Sequence, residues 1–427
     1  MLASARAQEG NPKAAATPMG NVARRRADSV VAVGAAQPPA TLADIELTVI
    51  TTKAGLEALE AEWNTLFAEC GRDIHVFQSF NWIWHWSDHF LPPAGETRGA
   101  CELHIVTGRS GGHLALVCPF ALYRRGGLTT LSFAGDPVSQ YGDVLLDQRR
   151  GGRDLLERAW SFIVENSGAD ALIFRKVRAD SNLASLLTHS DARVTDRQIA
   201  PYLDLSSAPD YETYEQRYST KARKNRRRLV RRFEDRGPAY VHTHKSGERA
   251  SELAALAVSL KRAWLKHRGL VSPALANPAT REFFASVTAD AKRPVGALVT
   301  HLASCGDVVA LEVAFDCKGR RAVHIIVYAL KFERAGVGHI LMERSVRNAI
   351  TDGLGVFDLM APGDAYKLDW ADGSVEVLDW AHGMTLRGRA FTNFYLVHAR
   401  GQLKRAAIAA GRWMRYFAGS NADTSHS

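Results

Sequence analysis

Hydrophobic periodicity begins at Ile45. Ile45 to Thr51 alternates with a period of two and predicts a strand. Lys53 to Cys70 places Leu56, Leu59, Trp63, Leu66 and Phe67 on one face and predicts a helix. In the aromatic stretch Phe77 to Phe90, Ser79 is positioned to cap a helix carrying Trp82, Trp86 and Phe90. We read these aromatics as core packing. Strands follow at Glu102–Thr107, Leu114–Tyr123 and Thr129–Phe133, then a helix at Arg153–Glu165 and a strand at Ala171–Val177. After Thr220 a similar order returns. Helices are expected at Ala250–His267 and Thr280–Ala291, and strands at Ala297–Ala303, Val308–Phe315 and Ala322–Ala329. A helix at Gly338–Thr351 and a strand at Val356–Met360 complete the pattern.

The two halves align weakly. Gly151 precedes the strand residue Ala171 by the same interval that separates Gly336 from Val356. Leu155 and Leu156 correspond to Ile340 and Leu341, and Gly168 to Gly353. We therefore expect an α/β fold made of a tandem pair of similar units, with mixed sheets flanked by helices. The expected boundaries are a leader at 1–42, an N-terminal unit at 43–210, a C-terminal unit at 211–385 and a basic helical tail at 386–427. The leader is rich in Ala, Pro, Gly and Arg, has neither period, and is expected to be disordered.

Composition adds limits. Of 427 residues, 46% are hydrophobic and 23% charged, which suits globular domains. The net charge of +9 is local. Residues 221–232, KARKNRRRLVRR, hold eight basic residues and no acid, and 387–415 add seven more without an acid. Two patches on an otherwise acidic chain argue against a general DNA-coating role. The five cysteines are scattered, with neither a CxxC pair nor zinc-ligand spacing. No metal is expected, and a reducing, cytoplasmic setting fits. Arg24-Arg25-Arg26 is followed only by a short apolar stretch, which makes a weak export signal.

Candidate chemistry concentrates at Tyr328–Thr351, YALKFERAGVGHILMERSVRNAIT. A strand ends, a Gly-containing loop follows and a helix starts. Gly336 and Gly338 let backbone N–H groups converge, and the helix start adds partial positive charge. That combination suits a pyrophosphate. Arg334, Gly336, Val337, Gly338 and His339 are the candidate binding residues, with Arg334 as counter-charge.

Strands followed by R-A-G-V-G and a helix resemble the acetyl-CoA-binding core of the GNAT acyltransferase superfamily. In that family the loop reads Gln/Arg-x-x-Gly-x-Gly/Ala, and here Glu333 stands where Gln or Arg is usual. Three further motifs, in order, are similar to CelD/BcsL-type acyltransferases of cellulose and exopolysaccharide production, relatives of FemAB-like transferases. They are Phe77-Gln78-Ser79 with Trp82 and Trp86, the run Ser219 to Arg228, and Phe357-Asp358 with Gly363, Tyr366-Lys367 and Trp370. The resemblance spans roughly residues 45–385. It implies acetyl-CoA or another acyl-CoA as acyl donor, and an amino- or hydroxyl-bearing small molecule or saccharide as acceptor. It also implies a bulged strand before the loop, at Ala322–Ala329, whose backbone N–H meets the thioester oxygen. Position after the following strand makes Tyr366 the candidate proton donor to the leaving thiolate.

The residues themselves suggest more. Glu312 is an acid inside the apolar strand LEVAF, where burial would raise its pKa towards that of a base. Asp358 lies at a strand end and suits a base, an orienting group or a substrate ligand. Lys367 is placed to bind a substrate anion or a CoA phosphate. His324 reads as a core histidine. In the first unit the equivalent loop Gln148–Arg153 has Arg153 where a small residue is needed, so the donor site is expected in the second unit only.

The basic run predicts a helix whose Lys221, Arg223, Lys224, Arg226, Arg227 and Arg228 offer a surface for RNA, anionic lipid or acidic polysaccharide. Gln402–Phe417 forms an amphipathic face, suited either to the inner face of a membrane or to docking on its own domain. Two alternatives stay open: an aminoacyl-tRNA-dependent FemAB-like transferase, and a non-catalytic scaffold.

Overall fold

Backbone pairing across large sequence separations dominates the architecture. The computed structural model describes residues 45–92 and 101–399. The expected leader, and the tail from residue 400 onward with its amphipathic face, lie outside the described residues.

Fifteen strands are present among the described residues. In the first half they are β1 (Ile45–Ile50), β2 (Cys101–Leu103), β3 (Ile105–Ser110), β4 (His113–Cys118), β5 (Phe120–Arg125), β6 (Leu128–Phe133), β7 (Leu145–Leu146), β8 (Ala171–Arg178) and β9 (Arg193–Asp204). The second half adds β10 (Ala239–His244), β11 (Ala297–Ser304), β12 (Asp307–Cys317), β13 (Arg320–Tyr328), β14 (Val356–Asp358) and β15 (Gly373–Gly383). Strands β1-β3-β4-β7 form a small sheet. The other eleven form one sheet in the order β10-β11-β12-β13-β14-β9-β15-β8-β6-β5-β2. Strands from both halves thus share one hydrogen-bonded surface, and β15 lies antiparallel between β9 and β8. Only β13–β14 and β6–β8 are parallel.

Most helices form where the 3.6 period puts apolar residues on one face. The expected 53–70 helix breaks at Leu59 into Lys53–Ala58 and Glu60–Cys70, yet still buries Leu56, Leu59, Trp63 and Leu66. The Ser79 hydroxyl accepts from Trp82 N–H and starts the Phe80–Phe90 helix. Each buried indole of that region finds an acceptor. Trp82 donates to Ser139 Oγ (2.9 Å), Trp86 to the Asp136 carbonyl (3.0 Å) and Trp63 to the Gln78 carbonyl (3.0 Å). Edge-to-face contacts join Trp82 to Phe283 and Phe315 of the second half, so the aromatic stretch is core.

Helices Glu248–His267 and Ala279–Ala289 cover one face of β11–β13, burying Leu253, Val258, Phe283 and Phe284 with Leu311, Val313 and Phe315. On the other face, Val337–Thr351 packs Met342 and Val346 against Ala314, Val323 and Phe357. No described helix is long and apolar enough to cross a membrane.

Candidate active site

Strands β13 and β14 part company after three pairs. Arg320, Arg321 and Ala322 lie beside Val356, Phe357 and Asp358, after which β13 runs on alone to Tyr328. A bulge shapes the free edge. In the β12–β13 ladder Val313 opposes Ile325, while the next residue, Ala314, opposes Val323, so His324 is the extra residue. The Ala329 N–H bonds the Val309 carbonyl at 2.9 Å. Alternation along an antiparallel ladder then makes Glu312 and Ile326 a non-hydrogen-bonded pair. Both backbone groups of Ile326 therefore point away from β12, into the split. Its carbonyl accepts from Lys261 Nζ (3.0 Å), leaving its N–H directed at the gap.

On the far wall, Lys367 Nζ donates to the Met360 carbonyl (2.9 Å). Burial, partly offset by Asp364, pushes the Lys367 ammonium down to about 8, and Lys261 and Lys176 add like-charge repulsion. Burial also lowers Lys261. Neither Lys261 nor Lys367 has a carboxylate within ion-pair distance among the described residues. Tyr366, beside Lys367, is partly exposed, and burial of its phenol raises its pKa, as does Asp364. On the β13 wall, His324 Nε2 lies 2.6 Å from the Val138 carbonyl and so carries the proton. Its Nδ1 is a buried acceptor with no partner, and burial lowers the imidazole to about 4. The expected core histidine thus lies at the bulge itself.

Asp358 is fully buried and saturated. Its Oδ1 accepts from the Tyr141 hydroxyl and the Met360 N–H, both at 2.8 Å. Its Oδ2 faces Arg320 (3.0 Å) and Arg178 (3.4 Å). Glu312 is also buried, but beneath the 337–351 helix, where Ser345 donates to Oε1 and Oε2 has no partner. Burial raises its carboxyl to about 7. Glu312 and Ile326 are opposed across the ladder, yet the Glu312 carboxyl is directed at the helix and not at the split.

The split leads to the glycine loop. Gly336 has φ +72°, and a Cβ there would meet Leu229 at 2.8 Å, so backbone and packing both demand glycine. Gly338 is different. A Cβ would meet only the Tyr328 ring, at an ordinary 3.6 Å, so packing does not require glycine there. The first turn of the helix bonds His339 N–H to the Gly336 carbonyl (3.0 Å), and among the described residues no backbone acceptor takes the N–H groups of Val337 or Gly338. Glu333, the unexpected acid, pairs with Arg268 (2.8 Å), a residue that follows helix 248–267. Arg334 and His339 are exposed, and Arg334 has no ion pair among the described residues.

The basic run forms helix Thr220–Glu234, capped by Ser219, and it lies against this loop through Leu229. Arg227 pairs with Glu215, and Arg228 donates to Asn225. Arg226 stacks between the Tyr218 and Trp370 rings, at 3.8 and 3.7 Å. Trp370 in turn stacks on His339.

In the first half, Asp147 Oδ1 accepts the Arg149 N–H (2.9 Å) beside the corresponding helix start. A carboxylate thus sits close to where a phosphate would bind. Glu69, Cys70 and Asp147 have metal-ligand spacing, and the Arg149 guanidinium contacts all three.

Sequence reasoning missed Lys261, Arg268 and Lys176. All three lie far along the chain from the loop, and no local motif marks them.

Comparisons with known proteins bear on the fold. The family described as "Acetyltransferase (GNAT) domain" matches residues 220–368. This segment is similar to that family, and the match supports an acyltransferase. No curated protein matches the chain. Among solved structures, FemX is similar at 8% identity with a TM-score of 0.52, covering 82% of this chain and 99% of its own. A tandem GNAT protein from the clavulanic acid biosynthesis pathway is similar at 15% identity (TM-score 0.43), covering 80% of this chain and 99% of its own. L-PGS from Bacillus licheniformis reaches 14% identity (TM-score 0.48), covering 79% and 96%. The FemX likeness supports the fold.

Proposed function

We propose that the protein transfers an acyl group, acetyl in the simplest case, from acyl-CoA to an amine or hydroxyl. The observation that carries this reading is the free edge of β13, where the Ile326 N–H faces the split next to the glycine loop. The pyrophosphate of the donor sits at the Val337 and Gly338 N–H groups, with Arg334 and His339 at its side. The pantetheine arm extends between β13 and β14, and the Ile326 N–H donates to the thioester oxygen as charge develops there. Attack by the acceptor forms the new C–N or C–O bond and breaks the C–S bond, and the proton lost by the acceptor passes to solvent, which also restores the proton on Tyr366. Tyr366, a phenol that is protonated at neutral pH, donates its proton to the leaving thiolate. Lys367 binds an anionic group of the acceptor. Asp358, with four donors on its carboxylate, holds the split walls together. Glu312 supports the 337–351 helix from below.

The CelD/BcsL resemblance favours a saccharide acceptor in cellulose or exopolysaccharide production, with the protein in the cytoplasm and the basic tail at the membrane's inner face. The test is to follow free thiol release from acetyl-CoA with a panel of amino sugars, polyols and amines. The reading predicts acceptor-dependent release. Release with none of them, from protein that binds acetyl-CoA, would leave the scaffold alternative.

A further inference from the structure

We infer that Arg226, supported by Arg223, binds the 3′-phosphate of the CoA nucleotide. This rests on the acyl-CoA reading above and adds a recognition element to the same site. The basic helix is not a uniformly solvated cation. Its inward face reads Arg223, Arg226, Leu229, Val230, Phe233, the spacing of one helical stripe. The apolar end of that stripe closes on the loop and the 337–351 helix, with Leu229 on Gly336 and Phe233 among Val337 and Ile340. Its cationic end, one turn earlier, lies beside the start of the 337–351 helix. There Trp370 bridges the two, stacked on Arg226 and taking His339 Nδ1 as acceptor at 3.4 Å.

The donors on this face are unsatisfied. Arg226 Nη1 and Arg223 Nε are buried without a hydrogen-bond partner among the described residues. The nearby acids are engaged, Glu215 by Arg227 and Asp372 by Arg217. No carboxylate pairs with Arg223 or Arg226 among the described residues. A guanidinium clamped between two rings keeps its N–H edges in one plane, a geometry suited to a phosphate. The helix start that would hold the diphosphate is linked to Arg226 through His339 and Trp370. The outward residues Lys224 and Arg228 face solvent and have no such role.

The test compares CoA with 3′-dephospho-CoA by calorimetry on the full chain. The wild type should bind CoA at least about tenfold more tightly, the scale of one charge-assisted contact. Arg226→Gln should bring the two ligands within about threefold and leave the dephospho-CoA affinity unchanged. Lys224→Gln removes the same charge from the outer face and should keep the wild-type ratio. If Arg226→Gln does not melt cooperatively, Arg223→Gln and the wild-type ratio decide. Equal wild-type affinities would overturn this inference and leave the acyl-CoA reading standing, whereas binding of neither ligand would overturn both. Binding of tRNA in preference to CoA, lost in Arg226→Gln, would overturn it in favour of an RNA site.

Discussion

The Tyr141 hydroxyl donates to Asp358 Oδ1 at 2.8 Å, joining residues 217 positions apart inside the core. Arg178 and Arg320 approach the same carboxylate from β8 and β13. The cluster therefore ties the first half of the chain to the strands that form the split. Removing the negative charge leaves two buried guanidinium groups without their shared partner. Asp358→Asn should lower unfolding stability by less than the ~3–5 kcal/mol of a fully uncompensated buried pair, because Arg178 keeps Asp180 and Arg320 keeps Asp73. Tyr141→Phe should cost less, about 1–3 kcal/mol, since it strips one neutral donor. Urea melts of both variants check the order of the two losses. An Asp358→Asn protein as stable as wild type, but inactive, would return Asp358 to the chemistry.

Much of the fold was legible because apolar spacing is local. Strands β11, β12 and β13 and helices 248–267 and 337–351 appear within a few residues of their expected bounds. Strands β9 and β15 were not legible. The first half of β9 is largely exposed and polar, and the second half of β15, from Val377 to Ala381, is buried without alternation. They are held by each other, across a separation that no local pattern encodes. The glycine loop and Arg334 were legible in letters, but Arg268, 65 positions from its partner Glu333, was not. Glu333, which stands where Gln or Arg is usual, is an ion-pair partner of Arg268.

Glu312 makes stability depend on pH. Burial raises its carboxyl from an ordinary value near ~4.3 to about 7. The folded state therefore holds the proton more tightly than the unfolded state. The resulting contribution is fully present below the unfolded pKa and is lost as pH rises through the folded one. Stability of the wild type should fall by about 3 kcal/mol or less between pH 4 and pH 8 on this account. Glu312→Gln should flatten that part of the profile. Parallel profiles for the two proteins would contradict the assignment.

The two loop glycines should separate. Gly336→Ala forces a side chain into positive φ and against Leu229, so it should lower the melting temperature measurably. Gly338→Ala has room within the protein and should fold normally, with acetyl-CoA affinity reduced. Thermal melts with and without acetyl-CoA distinguish them.

Tyr366→Phe keeps the ring and removes the proton donor. Turnover should fall by about 10²-fold while acetyl-CoA affinity is kept. Unchanged turnover, measured by thiol release, would leave another donor or solvent to protonate the thiolate.

The central claim is that an acyl-CoA binds at the Val337–Gly338 helix start of the second half. Its most direct measurement is a calorimetric titration of acetyl-CoA into the wild type and into Gly338→Arg, both confirmed folded by their melting curves. The account predicts one binding event per chain in the wild type and none in the variant, whose side chain fills the nest. Equal binding by both proteins would contradict it.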